Sequence, residues 1–175
     1  DIVVNNVGWA EHKMFMDKDW GGAEKEMALN YWGALYMTKA VLPGMIERRF
    51  GRVICVSSDA GKVGEYREVV YSAAKAGVQG FVRALAKEVG RYSITVNGVC
   101  PSMTVPDSED DVGEASMQYK RVRSPETMEK IVKMYPLRRV GRPADVANLV
   151  VFLGSDAGAF ITGQNISVNG GFITN

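Results

Sequence analysis

Histidine and cysteine are scarce in this sequence of 175 residues, which has one histidine, His12, and two cysteines, Cys55 and Cys100. Each cysteine lies inside an apolar run, so the two thiols do not indicate a disulfide framework, and a reducing cytoplasm is the simplest expectation. One histidine and two distant cysteines are also too few for a zinc site. We expect a cytoplasmic protein without a bound metal.

Neither sign of charge dominates the sequence, because 21 lysines and arginines accompany 20 aspartates and glutamates. The net charge of +1 creates no broad field toward nucleic acids or membranes. The acidic run 107–111 and the basic run 120–123 nearly cancel, which favours a solvated segment over a binding patch. No apolar run approaches the roughly 20 residues of a membrane span, and no signal peptide is recognisable. We therefore expect neither nucleic acid nor membrane as a partner.

Apolar residues make up 46% of the sequence, which is enough for a single domain with a core over 1–175. Short apolar runs predict four strands, near 1–4, 51–58, 93–99 and 164–169. Helical patterns alternate with them, at 24–48, 68–90 and 143–154. Three of the runs are nearly continuous, as in strands covered on both faces. This alternation predicts an α/β fold with a parallel sheet.

The segment 102–135 fits neither the strand nor the helix pattern. It is long, polar and partly helical, and it directly follows the end of a predicted strand. A substrate lid and a disordered excursion are the two alternatives for such a segment. Its place after a strand end favours a lid.

Small and amide residues follow three of the predicted strands, at 5–8, 57–61 and 100–104. Ligands of open parallel sheets bind beyond the carboxyl ends of the strands. Ordinary turn chemistry would explain one such strand end. Three of them at one edge of one sheet favour a binding site.

Tyr71 and Lys75 stand four residues apart in "YSAAK", on the helix predicted at 68–90. Such residues are neighbours on one helix face, as either a solvated pair or an acid–base device. A lysine charge ~4 Å from the phenol, at an effective dielectric near ~20, stabilises a phenolate by ~4 kcal/mol. That energy would move the pKa of Tyr71 from about 10 towards about 7. The spacing therefore predicts a tyrosine suited to general acid–base catalysis.

Several motifs accompany this pair, and they are "NNVG" at 5–8, Asn30 in "LN", Ser58 in "VSS", "VNGVCPS" at 96–102 and "ITGQNISVNGG" at 161–171. Together they resemble the short-chain dehydrogenase/reductases over essentially the whole chain. The resemblance implies a doubly wound Rossmann sheet that binds NAD(H) or NADP(H). It also implies an oxidoreductase in which a tyrosine transfers the proton and the cofactor supplies the hydride.

The resemblance assigns four catalytic residues. Tyr71 would move the proton to or from the substrate oxygen, and Ser58 would hold that oxygen. Lys75 would lower the pKa of Tyr71 and bind the nicotinamide ribose. Asn30 would anchor a water that links Lys75 to solvent.

The resemblance also assigns residues that contact the cofactor, and these are Asn6, Gly8, Tyr71, Lys75, Pro101, Ser102 and Thr104. Three departures from the family pattern bear on this set. Ser102 stands where the family has glycine, and Pro106 stands where a threonine often contacts the cofactor. The family's Gly-rich turn and first three strands are absent, and the sequence opens at Asp1 inside an apolar run. We therefore expect a fragment without the N-terminal cofactor-binding half, and the choice between NAD and NADP stays open, with a lean to NAD.

Three longer stretches, at 1–15, 57–77 and 155–171, are similar to 2-hydroxycyclohexanecarboxyl-CoA dehydrogenase-like and to 3-oxoacyl-carrier-protein reductase-like enzymes. The leading hypothesis is an NAD(P)-dependent enzyme that interconverts a secondary alcohol and a ketone on a hydroxyacyl thioester or a cyclic alcohol. The alternatives are a 3-oxoacyl thioester reductase of fatty-acid type and, in another class, a non-catalytic Rossmann-like binding protein or inactive truncation. In the family, helices corresponding to 24–48 and 68–90 pair between subunits, which implies a homodimer or homotetramer.

Overall fold

The computed structural model describes residues 1–114, 116 and 124–174, so the basic run 120–123 and part of the segment 102–135 lie outside the described residues. The strands are β1 (Ile2–Asn5), β2 (Gly51–Val56), β3 (Ile94–Pro101) and β4 (Asn165–Val168). They form one sheet in the order β1-β2-β3-β4, with every pair parallel. The predicted α/β class is confirmed.

Helices occupy the connections between the strands. They are α1 (Trp20–Met27), a π-helical turn (Ala28–Trp32), α2 (Gly33–Arg48), α3 (Ala60–Val63), α4 (Val69–Val89), α5 (Pro125–Lys133) and α6 (Pro143–Gly154). The first three follow one another without a break, where the sequence predicts a single helix at 24–48. Among the described residues, none of these helices combines the length and apolarity needed to cross a membrane.

Both faces of the sheet are buried. Val53 and Cys55 of β2 pack on one side against Val78 and Val82 of α4. Ile54, between them in sequence, packs on the other side in a cluster with Val99 and Leu153, the latter from α6. Successive strand residues point to opposite faces, so a strand covered twice needs apolar residues at every position. This arrangement explains why the strands read as nearly continuous apolar runs, and the fold is Rossmann-like.

Strand β1 forms an edge of the sheet among the described residues, since it pairs with β2 on one side. Val3 packs into the core on the α4 side. Ile2 and Val4 point to the other face, and they are 53% and 43% exposed. This edge is therefore the part of the sheet that is least covered.

The segment after β3 contains helix α5 and short turns. Ser124 caps α5, because its hydroxyl accepts a hydrogen bond from the Thr127 amide at 3.4 Å. Tyr135, just beyond α5, is buried, and its hydroxyl accepts a hydrogen bond from the Met103 amide at 3.2 Å. The end of this segment is thus tied to the residues that follow β3.

Candidate active site

The carboxyl ends of β2 and β3 continue side by side beyond the last regular pairs. The Ser57 amide donates to the Val99 carbonyl at 2.7 Å, and the Asp59 amide donates to the Pro101 carbonyl at 3.0 Å. Ser58 lies between these two bonds, and its hydroxyl accepts a hydrogen bond from the Ala60 amide at 3.1 Å. The backbone therefore holds the predicted serine at the edge of the sheet where ligands of this fold class bind.

Helix α4 brings Tyr71 and Lys75 to the same edge. The Lys75 ammonium lies 5.5 Å from the centre of the Tyr71 ring, and it donates a hydrogen bond to the Val56 carbonyl at 2.9 Å. Val56 ends the strand that precedes Ser58. Three of the four predicted catalytic residues are thus brought together by one strand end and one helix.

Burial controls the protonation of this pair. It raises the pKa of Tyr71 to about 12, against a lowering by the nearby Ser58 hydroxyl. It also lowers the pKa of Lys75 to about 8. The expected depression of the Tyr71 pKa by Lys75 is wrong for this structure. Desolvation is the largest cause of the raised pKa, and the Lys75 ammonium bonds to the Val56 carbonyl and not to the phenol.

These pKa values define what the arrangement can do. At neutral pH Tyr71 is an uncharged phenol with a proton to give, and Lys75 is mainly an ammonium. A phenol that gives its proton to a substrate oxygen becomes a phenolate, which the ammonium and the Ser58 hydroxyl would stabilise. The described geometry therefore suits the protonation of a carbonyl oxygen during its reduction.

Asn30 lies in the π-helical turn, and it is almost completely buried. The turn is marked by a bond from the Gly33 amide to the Ala28 carbonyl, five residues back. The Asn30 side-chain amide donates to the carbonyls of Glu26 at 2.8 Å and Trp9 at 2.5 Å. It therefore supplies the Glu26 carbonyl with a partner within the altered turn. Such π turns are frequent at functional sites.

Gly8 stands between Asn30 and Lys75. A β-carbon placed on Gly8 would lie 3.1 Å from the Asn30 Oδ1 and 3.5 Å from the Lys75 Nζ. The absence of a side chain thus lets the chain after β1 pass close to both residues. The structure thus places the Asn30 Oδ1 and the Lys75 Nζ beside the same glycine.

The predicted cofactor residues lie at the ends of β1 and β3. The Ser102 hydroxyl is buried, and it lies near the Tyr135 hydroxyl. The Thr104 hydroxyl donates to the Ser102 carbonyl at 3.2 Å. These hydroxyls lie beyond the carboxyl end of β3, at the edge where ligands of open parallel sheets bind. Asn6 and Gly8 are exposed at the neighbouring strand end.

A buried ion pair beside the site has no counterpart in the sequence predictions. The Lys18 ammonium donates to the Glu26 carboxylate at 2.8 Å, and both side chains are almost inaccessible to solvent. The Glu11 amide donates to the same carboxylate oxygen at 2.6 Å. The pair fixes the loop after β1 against α1, four residues before Asn30. This ion pair could not be predicted from the sequence, because a lysine and a glutamate eight residues apart do not form a recognisable local pattern.

Comparisons with known proteins agree with this architecture. A family model described as Enoyl-(Acyl carrier protein) reductase matches residues 1–173. An acetoacetyl-CoA reductase of Rhizobium meliloti is 39% identical over 174 residues, which are 98% of this chain and 67% of that protein. A 3-oxoacyl-acyl-carrier-protein reductase of Pseudomonas aeruginosa is 37% identical over 174 residues, 97% of this chain and 64% of its own length. The chain thus spans about two thirds of the length of these relatives.

A solved structure shows the same fold. It is an oxidoreductase of the short chain dehydrogenase/reductase family from Burkholderia thailandensis, with a TM-score of 0.86 and 32% sequence identity. The match covers 99% of this chain and 64% of that one. Sequence similarity over nearly every residue and the shared parallel sheet lead to the same conclusion. The chain belongs to the short-chain dehydrogenase/reductase family of oxidoreductases.

Proposed function

We propose that the protein, in its full-length form, is an NAD(P)-dependent reductase of 3-oxoacyl thioesters. The observation that carries the proposal is the uncharged, partly buried phenol of Tyr71 beside the Ser58 hydroxyl and the Lys75 ammonium. Relatives named acetoacetyl-CoA reductase and 3-oxoacyl-acyl-carrier-protein reductase support the substrate class. Oxidation of a cyclic 2-hydroxyacyl thioester is the second candidate, because the three stretches of sequence noted above resemble enzymes of both kinds.

Each catalytic residue has one task in this scheme. Ser58 donates a hydrogen bond to the ketone oxygen, and Tyr71 transfers its phenolic proton to that oxygen. Lys75 stabilises the phenolate that remains. The dinucleotide, when bound, supplies the hydride that reduces the carbonyl carbon.

The residues that would hold the dinucleotide are those at the two strand ends. They are Asn6, Gly8, Pro101, Ser102 and Thr104, together with Tyr71 and Lys75. Their place beyond the carboxyl ends of β1 and β3 supports this assignment. The preference between NAD and NADP is an outcome of the experiment below.

We also propose that Asn30 helps to return a proton to the site. Its Oδ1 accepts one hydrogen bond, from the Trp9 amide at 3.2 Å, and a carbonyl oxygen can accept a second. Asn30 Oδ1 and Lys75 Nζ flank Gly8 on the same side. A water held between them would connect the ammonium to solvent.

A homodimer or homotetramer is the assembly that we propose for the full-length protein, through the helices at 24–48 and 68–90. An exposed aromatic pair supports it, because Trp32 and Tyr36 stack with ring centres 5.9 Å apart while 45% and 66% exposed. Cytoplasmic location is part of the same proposal, supported by the two buried free thiols, Cys55 and Cys100.

The test uses the full-length protein, including any residues encoded upstream of Asp1. Oxidation of NADPH and of NADH is followed separately with acetoacetyl-CoA, and reduction of NADP and NAD with 2-hydroxycyclohexanecarboxyl-CoA. We expect turnover of acetoacetyl-CoA, reduced about 100-fold in the Ser58→Ala variant because a donor to the carbonyl oxygen is removed. Turnover of the cyclic alcohol alone selects the second candidate. Dinucleotide binding without turnover of either substrate favours a non-catalytic binding protein.

A further inference from the structure

Asp59 directly follows the catalytic serine, and its carboxylate is buried, with the residue only 3% exposed. Both of its oxygens accept short hydrogen bonds from the distant strand β4 and the residue after it. The Ser167 hydroxyl donates to Oδ1 at 2.6 Å, and the Asn169 side-chain amide donates to Oδ2 at 2.6 Å. Hydrogen bonds to a buried carboxylate are among the stronger ones in proteins, so this contact joins two parts of the chain firmly.

Lys62 compensates the charge of this carboxylate. Its ammonium donates a hydrogen bond at 2.8 Å to the Ser167 hydroxyl, which in turn donates to Asp59. Charges that are buried in a protein are stabilised by such partners. The cluster of Asp59, Lys62, Ser167 and Asn169 is therefore a satisfied polar network within the fold.

Asn169 extends the network into the loop that follows β4. Its Oδ1 accepts from the Gly171 amide at 2.9 Å, and its side-chain amide also donates to the Ile173 carbonyl at 3.0 Å. Gly170 and Gly171 have φ values of 59° and 85°, a left-handed conformation that favours glycine. The position of this loop is thus set by the same asparagine that binds Asp59.

The loop after β4 contacts the end of the segment 102–135. The Phe172 ring stacks on the Tyr135 ring with centres 5.0 Å apart, and the Leu137 amide donates to the Gly170 carbonyl at 3.2 Å. The Tyr135 hydroxyl accepts from the Met103 amide, next to Ser102. A continuous set of contacts therefore runs from Asp59 to the predicted lid and to the predicted cofactor loop.

We propose that Asp59 is a positioning residue, which sets the place of the Ser58 hydroxyl and couples it to the loop 169–173 and to Tyr135. The Asp59 amide is fixed by the Pro101 carbonyl at 3.0 Å and its side chain by Ser167 and Asn169, so the Ser58 backbone is held from both directions. This inference rests on the proposed function, in which Ser58 holds the substrate oxygen. A small displacement of that hydroxyl reduces the rate of the chemical step.

The test exchanges the two partners in the full-length protein. Asp59→Asn replaces one acceptor oxygen by a donor, so the side chain can no longer accept from both the Ser167 hydroxyl and the Asn169 amide. The double variant Asp59→Asn with Asn169→Asp restores one donor and one acceptor between residues 59 and 169, and it loses the donor to the Ile173 carbonyl. We expect a fall of about tenfold or more in kcat for Asp59→Asn, with the KM for the dinucleotide changed less than about twofold. We expect the double variant to recover part of the lost kcat, because the contact between residues 59 and 169 returns while the donor to the Ile173 carbonyl does not.

Asp145→Asn serves as the matched control. Asp145 also accepts hydrogen bonds with both oxygens, from the Arg139 guanidinium at 2.6 and 2.9 Å, but its side chain, in the first turn of α6, is 29% exposed. This variant should keep the wild-type kcat. Wild-type kcat in Asp59→Asn, or a loss that the exchange does not restore even in part in folded protein, would overturn the proposal.

Hydrogen exchange tests the role of Asp59 independently of the proposed function, because the measurement needs no enzyme turnover. The Gly171 amide should exchange at least about tenfold faster in Asp59→Asn and return towards the wild-type rate in the double variant. An absence of turnover in the wild type together with this exchange result would contradict the proposed function alone. Unchanged exchange in Asp59→Asn would contradict the coupling through Asn169.

Discussion

At the scale of single residues, the site is governed by the burial of two ionisable groups. Water would favour the charged forms of both, and its exclusion moves the pKa of the Tyr71 phenol up and the pKa of the Lys75 amine down. Lys75 retains its charge at neutral pH, although the residue is only 4% exposed to solvent. A buried ammonium is costly to the fold, so we expect its presence to be explained by catalysis.

Lys75 should therefore lower the stability of the protein. Its pKa is about 8 in the folded state and about 10.5 when unfolded, a difference that corresponds to ~3 kcal/mol. Because the folded-state value is the lower one, the unfavourable contribution is fully present below pH 8 and disappears as the pH rises towards 10.5. We expect Lys75→Met to raise the free energy of unfolding at pH 7 by ~1–3 kcal/mol while it lowers turnover.

Urea denaturation at pH 7 and at pH 10 measures this effect, and the gain should shrink at the higher pH. Lys87→Met is the matched control, because Lys87 lies on the same helix and is exposed. It should change stability by no more than ~0.5 kcal/mol. A less stable Lys75→Met variant at pH 7 would show that the bond to the Val56 carbonyl outweighs the cost of burial.

At the scale of secondary-structure elements, the site depends on how closely α3 approaches α4. A β-carbon on Gly61 of α3 would lie 2.7 Å from the backbone carbon of Lys75 and 2.7 Å from the Ala76 nitrogen. Backbone atoms cannot move aside as a flexible side chain can. The glycine therefore fixes the distance between the residues after Ser58 and the helix that carries Tyr71.

Two glycine substitutions test this packing. Gly61→Ala should push α3 away from α4, destabilise the protein by ~1–3 kcal/mol and reduce turnover. Gly80→Ala is the control within α4, because a β-carbon there meets nothing within 4 Å. It should stabilise the protein by ~0.5–1 kcal/mol through helix propensity. Thermal unfolding and turnover of both variants measure the contrast, and a stable, active Gly61→Ala variant would refute the close-packing argument.

The sequence predicts the elements better than it predicts the polar contacts between them. A strand that is covered on both faces can be predicted from Val53, Ile54 and Cys55. Consecutive apolar residues are typical of such strands, because side chains on both faces are buried. The π turn around Asn30 cannot be distinguished from an ordinary helix in the sequence. One turn with a different hydrogen-bond spacing changes the periodicity of apolar residues too little. The bond from Asp59 to Asn169 joins residues 110 positions apart, a pairing that only the folded chain creates.

The protonation of Tyr71 is a further limit of sequence analysis. The four-residue spacing between Tyr71 and Lys75 predicts that the two side chains are neighbours on the helix. A lowered pKa of Tyr71 follows from that distance alone. The extent of burial and the competing Val56 carbonyl depend on β2 and the residues after it, so they become visible only in three dimensions.

At the scale of the whole molecule, many large apolar side chains are exposed, and two groups of them bear on assembly. One is the pair of Trp32 and Tyr36 beside α2, and the other is the edge strand with Ile2 and Val4. Exposed patches of this kind often mark interaction surfaces. The first lies on the helices through which we propose subunit pairing.

Sedimentation of the full-length protein tests that pairing. We expect a dimer or tetramer at micromolar concentration, and a monomer for the variant that combines Trp32→Glu and Tyr36→Glu, since charges would be buried in the interface. Tyr66→Glu is the control, because Tyr66 is 71% exposed in the loop before α4. A monomeric wild type, or an unchanged assembly in the double variant, would argue against this interface.

The central claim is that the Tyr71 phenol gives the proton that completes reduction of a ketone. The most direct measurement is the oxidation of NADPH and NADH by acetoacetyl-CoA in the full-length wild type and in Tyr71→Phe, with dinucleotide affinity measured in parallel. We predict that Tyr71→Phe loses turnover by at least about 1,000-fold, because the proton donor is gone, and that it binds dinucleotide nearly as the wild type does. Comparable turnover in the two proteins would contradict the account and remove Tyr71 from the mechanism.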